Sequence, residues 1–159
     1  MATQAFVDFE KLDPGRVVAS REDILAKLAQ RGRFALLDGI LQAGGEGGVI
    51  VGFKDIRADD WWAPDHVPGR PLFPGVLMCE AAAQLCSYDY LCKGTIPPGS
   101  FLGFGGMDGT RFRGVVEPPS RLVIAAKPEK LRSRMFTYAA QAFVDRQLVF
   151  ETQILGVLV

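Results

Sequence analysis

His66 and Glu80 stand fourteen residues apart in the string Asp65-His66-Val67-Pro68-Gly69-Arg70-Pro71-Leu72-Phe73-Pro74-Gly75-Val76-Leu77-Met78-Cys79-Glu80. Imidazole and carboxyl groups are the side chains most often used to move protons near neutral pH. His66 is the only histidine in the chain, and a solitary histidine is more often structural than catalytic. Its setting argues for chemistry. Prolines at 64, 68, 71 and 74 restrict the backbone on both sides and hold the imidazole relative to the segment that follows. Pro74-Gly75 then reads as a helix entry, where unpaired N–H groups carry partial positive charge and a glycine lets a ligand approach the backbone. A carbonyl that gains negative charge as its α-proton leaves can be held at the Gly75 N–H.

Glu80 needs an element that keeps it out of bulk water. The run from Gly75 to Leu91 has helical length, and its strongly polar members are Glu80, Gln84, Ser87 and Asp89. At about 100° per residue, Gln84 and Ser87 fall within about 40° of Glu80 on a helical wheel. A solvated stripe would also carry Lys or Arg, and this run has neither. Val76 and Leu77 flank the stripe at one end and Leu91 returns to it at the other, so the polar group is an island on an otherwise buried helix. Gln84, one turn beyond Glu80, is placed to hydrogen-bond and orient the carboxyl.

Around this helix the chain reads as strands. Ser20 is a helix N-cap with Asp23 three residues on, opening a short first helix. Phe34–Ala43 and Val49–Ile56 are expected strands, joined by a hairpin-like glycine cluster at 44–48. Residues 58–74 read as an irregular loop. Strands follow at Phe101–Phe112, Arg121–Lys127, Met135–Val144 and Gln147–Val159, the last pair turning at Asp145-Arg146. An antiparallel sheet wrapped around one long central helix, an α+β arrangement, satisfies the pattern. Residues 1–19 form a lead-in, and residues 20–159 one domain.

Composition narrows the function. With 159 residues, 48% of them hydrophobic, the chain fits a single packed core. Lys+Arg and Asp+Glu balance at 18 each, which argues against nucleic acid as a partner. No apolar run approaches the roughly 18 residues needed to insert in a membrane. Cys79, Cys86 and Cys92 lie along one helix; positions seven apart on a helix are separated by about 10 Å, too far for a disulfide. Without a Cys-x-x-Cys pair, and with one histidine, no metal site is expected. Free thiols and the absence of a secretory signal point to the cytoplasm.

The run His66-Val67-Pro68-Gly69-Arg70-Pro71-Leu72-Phe73-Pro74-Gly75-Val76-Leu77-Met78-Cys79-Glu80-Ala81-Ala82-Ala83-Gln84 resembles the β-hydroxyacyl-(acyl-carrier-protein) dehydratases, the FabZ and FabA type with the hot-dog fold. Glutamate at 80, where FabA enzymes have aspartate, places it closer to FabZ. The resemblance runs from about Ser20 to the C-terminus, with Phe34–Asp38 similar to the family's first strand and Met107–Arg113 to a later one. It departs at Asp65, Val67 and Pro119-Ser120. It implies removal of water from a (3R)-hydroxyacyl thioester to give the trans-2-enoyl thioester, without cofactor or metal. His66 would be the base, Glu80 the acid, Gly75 N–H the carbonyl donor and Gln84 the orienting group. It further implies an acyl-carrier-protein or coenzyme A thioester substrate and a homodimer whose active site is shared between protomers, with a hexameric trimer of dimers also open. The competing readings are a hot-dog thioesterase and a non-catalytic acyl-binding or assembly subunit. A basic bias between Arg111 and Arg134 suggests a dock for an acidic carrier protein, with Arg111, Arg113 and Arg132 as its members.

Overall fold

The computed structural model describes residues 2–45 and 48–159. One antiparallel sheet of seven strands is built from β1 (Ala19–Ser20), β2 (Gly39–Gln42), β3 (Ile50–Ile56), β4 (Leu102–Phe112), β5 (Ser120–Leu131), β6 (Met135–Val144) and β7 (Gln147–Leu158), in the order β1-β2-β3-β5-β6-β7-β4. Two short helices, α1 (Arg21–Leu25) and α2 (Ala63–His66), precede the long helix α3 (Gly75–Lys93). The hot-dog arrangement expected from the sequence is present. Alternating side chains Ile50 and Ile56 of β3, Leu122, Ile124 and Ala126 of β5, and Phe136, Tyr138, Ala140 and Ala142 of β6 face Leu77, Met78, Ala81, Ala82 and Leu85 of α3 in one buried cluster.

Local chemistry explains several boundaries. Ser20 and Asp23 form a reciprocal capping box that starts α1. Asp145 and Arg146 both adopt positive φ, 49° and 66°, which gives the two-residue turn between β6 and β7 the twist a tight hairpin needs without a glycine. Glu46 and Gly47 of the expected glycine turn lie outside the described residues.

Two expectations are corrected. Residues 35–38 are not strand. A one-turn 3-10 helix at Gly32–Phe34 precedes them, and the Gln84 side chain satisfies the backbone here, accepting from Leu36 N–H (3.1 Å) and donating to Phe34 C=O (2.6 Å). Three consecutive apolar residues, Ala35, Leu36 and Leu37, are therefore buried without a strand ladder, and the segment joins β3 only at Asp38, whose N–H donates to Phe53 C=O (2.9 Å). The segment 58–74 is not wholly irregular either, because α2 carries His66 at its last position. Pro64 sits in its first turn, where a missing N–H costs nothing.

The lead-in has a structural role. Phe6, Val7, Phe9 and Leu12 cover the outer face of the sheet against Leu41, Val51, Phe53, Ala125 and Phe143. Buried Gln141 clasps the strap from both sides, accepting from Phe6 N–H (2.8 Å) and donating to Gln4 C=O (2.9 Å). Phe9 stacks edge-on to Phe143 with centroids 5.1 Å apart. Phe9→Ala should cost about 2 kcal/mol, less than a fully buried Phe because Phe9 is half-buried. Urea unfolding measures this directly, and an unchanged midpoint would mean the strap contributes nothing.

At the far end of α3, Asp89 is 2% exposed and accepts from Tyr138 Oη (2.7 Å) and from Lys93. Burial and the adjacent Asp89 carboxylate push the Tyr138 hydroxyl pKa upward, so it remains a proton donor in this contact.

Candidate active site

His66 is exposed at the end of α2, and its Nδ1 lies 2.8 Å from Leu72 C=O. A carbonyl oxygen only accepts, so Nδ1 must carry the proton and donate. In the neutral ring this contact selects the tautomer whose Nε2 carries the lone pair a base requires. The loop making this contact is pinned on the other side. Buried Phe73 donates its N–H to Val116 C=O (2.8 Å) and packs edge-on against buried Trp62, centroids 5.4 Å apart.

Gly75 opens α3 after Pro74, which is in extended conformation. As the first helical residue, Gly75 has no acceptor for its N–H within the helix. A Cβ there would lie 2.8 Å from the exposed Phe112 ring, which would have to move to admit a side chain. Of the departures from the family pattern, Asp65 is exposed within α2 and Val67 is half-buried just after it. Ser120 begins β5, following Pro119.

Glu80 lies one and a half turns into α3 and is half-buried. Gln84 donates to its Oε1 at 2.9 Å, the contact expected from their spacing. Because Gln84 Oε1 also holds Leu36 N–H and its Nε2 also holds Phe34 C=O, the amide orientation is fixed by three partners and fixes Glu80 in turn. Gln84→Leu leaves two backbone groups unpaired, and we expect it to destabilise the fold by about 2–6 kcal/mol, from about 1–3 kcal/mol for each group. A chemical denaturation midpoint equal to wild type would contradict this role.

Glu80, Gln84 and Ser87, grouped on one stripe by the helical wheel, line a common cavity with Gln30, Phe104 and Gly156. His66 is not among the residues around that cavity, and no hydrogen bond joins it to Glu80 among the described residues. The protomer therefore brings Glu80 and Gln84 together but keeps His66 apart from them.

The proposed basic dock is corrected. Arg113 is committed to Glu151 through two contacts of 2.8 and 3.1 Å, which raise the arginine pKa and lower that of the carboxyl. Arg111 is level with Glu151 on β7, whereas Arg132 follows the β5 position paired to Phe136, itself level with Gly156. Those β7 positions are about 17 Å apart at 3.4 Å per residue, so the three arginines do not form one patch. Sequence reasoning also missed Gln30. It lines the Glu80 cavity, and its position after a short helix gives no periodic signal.

A family model described as a FabA-like domain matches residues 28–153. The chain belongs to the FabA-like family. It is 36% identical over 135 residues to "3-hydroxyacyl-[acyl-carrier-protein] dehydratase FabZ" of Syntrophobacter fumaroxidans, covering 85% of this chain and 90% of that one. The protein of the same name from Escherichia coli O9:H4 is 33% identical over 131 residues, covering 82% and 86%. Among solved structures, the dehydratase heterocomplex ApeI:P from Xenorhabdus doucetiae matches with a TM-score of 0.69 at 13% identity, over 89% of this chain and 91% of that one. The fluoroacetyl-CoA-specific thioesterase FlK matches at 0.60 and 9% identity, over 71% and 86%. At such identities the structures establish the hot-dog fold alone, and that fold hosts both chemistries. The FabZ relatives and the His66-to-Gln84 string distinguish the family within it.

Proposed function

We infer that this FabA-like protein dehydrates (3R)-hydroxyacyl thioesters carried on acyl-carrier protein, giving trans-2-enoyl thioesters in acyl-chain synthesis. The observation that carries the reading is the Gln84-held Glu80 on the buried helix, with His66, its Nδ1 held by Leu72 C=O, at the end of the short helix α2 that precedes it. His66 Nε2 takes the α-proton. The electrons of that C–H bond form the new double bond as the C3–O bond breaks, and Glu80 delivers its proton to the departing hydroxyl, which leaves as water. Gly75 N–H bonds to the thioester oxygen while it carries enolate-like charge. Gln84 keeps the Glu80 carboxyl aimed. The reverse hydration uses the same groups with their protons exchanged.

A homodimer completes the site in this reading. His66 and Glu80 do not meet within one protomer, and β4 is an edge strand with Phe104, Met107 and Phe112 exposed along it. An apolar sheet edge favours pairing with a second copy. We place the catalytic unit in residues 20–159, with residues 1–19 as an appended strap. No helix among the described residues is long and apolar enough to cross a membrane. The free cysteines, two of them buried, suit the reducing cytoplasm.

The test is turnover of short enoyl thioesters with two simultaneous readouts. Loss of enoyl absorbance without release of thiol is expected. Thiol release without hydration would instead favour the thioesterase reading, and neither signal would leave an acyl-binding subunit.

A further inference from the structure

The carbonyl that holds His66 Nδ1 belongs to a peptide that is itself held. Leu72 C=O faces Nδ1 at 2.8 Å, and the N–H of the same peptide unit, that of Phe73, donates to Val116 C=O (2.8 Å). In a trans peptide these two groups point in opposite directions, so the Leu72–Phe73 unit stands between the imidazole and the segment joining β4 to β5. Hydrogen bonds in series polarise one another, and donation to Val116 makes Leu72 C=O the better acceptor for Nδ1–H.

Residues 71–74 form no regular secondary structure, so the orientation of this peptide depends on what anchors its flanks. On the C-terminal side the anchor is Phe73, packed against Trp62. On the N-terminal side it is Arg70. Its N–H donates to Val67 C=O (2.9 Å), closing a turn with Pro68 and Gly69 at the central positions and Gly69 at φ 83°, the arrangement of a type II turn. The Arg70 guanidinium then meets Glu117, with Nε and Nη2 both donating to Oε1 (3.2 and 3.0 Å). The adjacent residues Val116 and Glu117 thus grip the His66 loop at two points, on either side of Leu72 C=O.

We propose that Arg70 and Glu117 are a positioning pair for the base, orienting the Leu72–Phe73 peptide so that neutral His66 keeps its proton on Nδ1. The consequence for turnover rests on the dehydratase reading above. An exposed ion pair adds little to global stability. Its effect here is local. Only Pro71 separates Arg70 from Leu72, so a shift of the loop at Arg70 tilts the carbonyl away from Nδ1, and a hydrogen bond weakens steeply with misalignment. The imidazole then exchanges tautomers. In the other tautomer Nε2 carries a proton and cannot take one from the substrate.

Charge reversal tests the pair. Arg70→Glu sets two carboxylates face to face and Glu117→Arg two guanidinium groups, whereas the double variant restores opposite charges. Because His66 is the only histidine, isotopic labelling of histidine nitrogen yields ring signals in NMR that report its tautomer without ambiguity. At a pH where the ring is neutral, wild type should show the Nδ1–H form. Each single reversal should introduce the Nε2–H form and lower kcat on a short enoyl-pantetheine thioester about fivefold with KM unchanged, the upper end for loss of an exposed pair. The uncharged pantetheine removes any influence of carrier charge. The double variant should return both readouts toward wild type. Thermal melts verify folding, and Glu117→Gln, which neutralises the carboxylate without reversing it, makes the same comparison should a reversal fail to fold. A wild type in the Nε2–H form, or single variants with an unchanged tautomer whatever their kcat, would overturn the proposal. So would a loss that the double variant does not recover. If wild type hydrates no thioester, the dehydratase reading fails, and the tautomer comparison still judges the pair.

Discussion

Glu80→Gln and His66→Ala should each lower dehydration by about two to four orders of magnitude, the usual contribution of a positioned general acid or base. The two substitutions are informative because neither should disturb the scaffold. Glutamine at 80 keeps an acceptor oxygen for Gln84 Nε2, now 2.9 Å from Glu80 Oε1, and loses only the ability to give up a proton. His66 is exposed and makes one hydrogen bond, to Leu72 C=O, so its removal should cost less than about 1 kcal/mol. Single-turnover rates on hydroxyacyl-carrier protein, with melting temperatures alongside, separate chemistry from folding. Near-normal turnover in either variant would remove that residue from the mechanism.

Mixing the two inactive proteins under conditions that exchange protomers should recover activity. In a two-fold dimer whose site takes His66 from one copy and Glu80 from the other, each mixed dimer has one intact pair. Random exchange at equal amounts should then give about a quarter of wild-type turnover. The physical basis is the absence of His66 from the Glu80 cavity of the protomer, together with the aromatic free edge of β4. Mass spectrometry can establish that mixed dimers form. If they form and remain inactive, both residues act within one protomer.

Much of this was legible before any coordinates, and the exceptions have definite causes. β6 spans Met135–Val144 as its alternation indicates, and the Glu80–Gln84 contact follows from helical spacing alone. Phe34–Asp38 misled because an apolar run signals burial, not pairing. Its backbone partner is a side chain 48 residues away in sequence, Gln84 reaching Leu36, which no local pattern encodes. The short helix holding His66 was hidden by prolines that read as breakers but include one in a first turn. Arg111, Arg113 and Arg132 looked like a patch because they are near in sequence. Strand direction then carried them apart, and Glu151 claimed Arg113. The outer-face strap depends on Gln141, 135 residues from Phe6, and so lay beyond sequence reasoning altogether.

The central claim is that Glu80 and His66 interconvert hydroxyacyl and enoyl thioesters. It is tested most directly by incubating the protein with a (3R)-3-hydroxyacyl-carrier protein of short chain length and following the acyl group by mass spectrometry. The account predicts loss of one water to a trans-2-enoyl thioester still attached to its carrier, approached to the same equilibrium from either side, and slowed by about two to four orders of magnitude in Glu80→Gln. An unchanged hydroxyacyl thioester, or a carrier stripped of its acyl group, would contradict it.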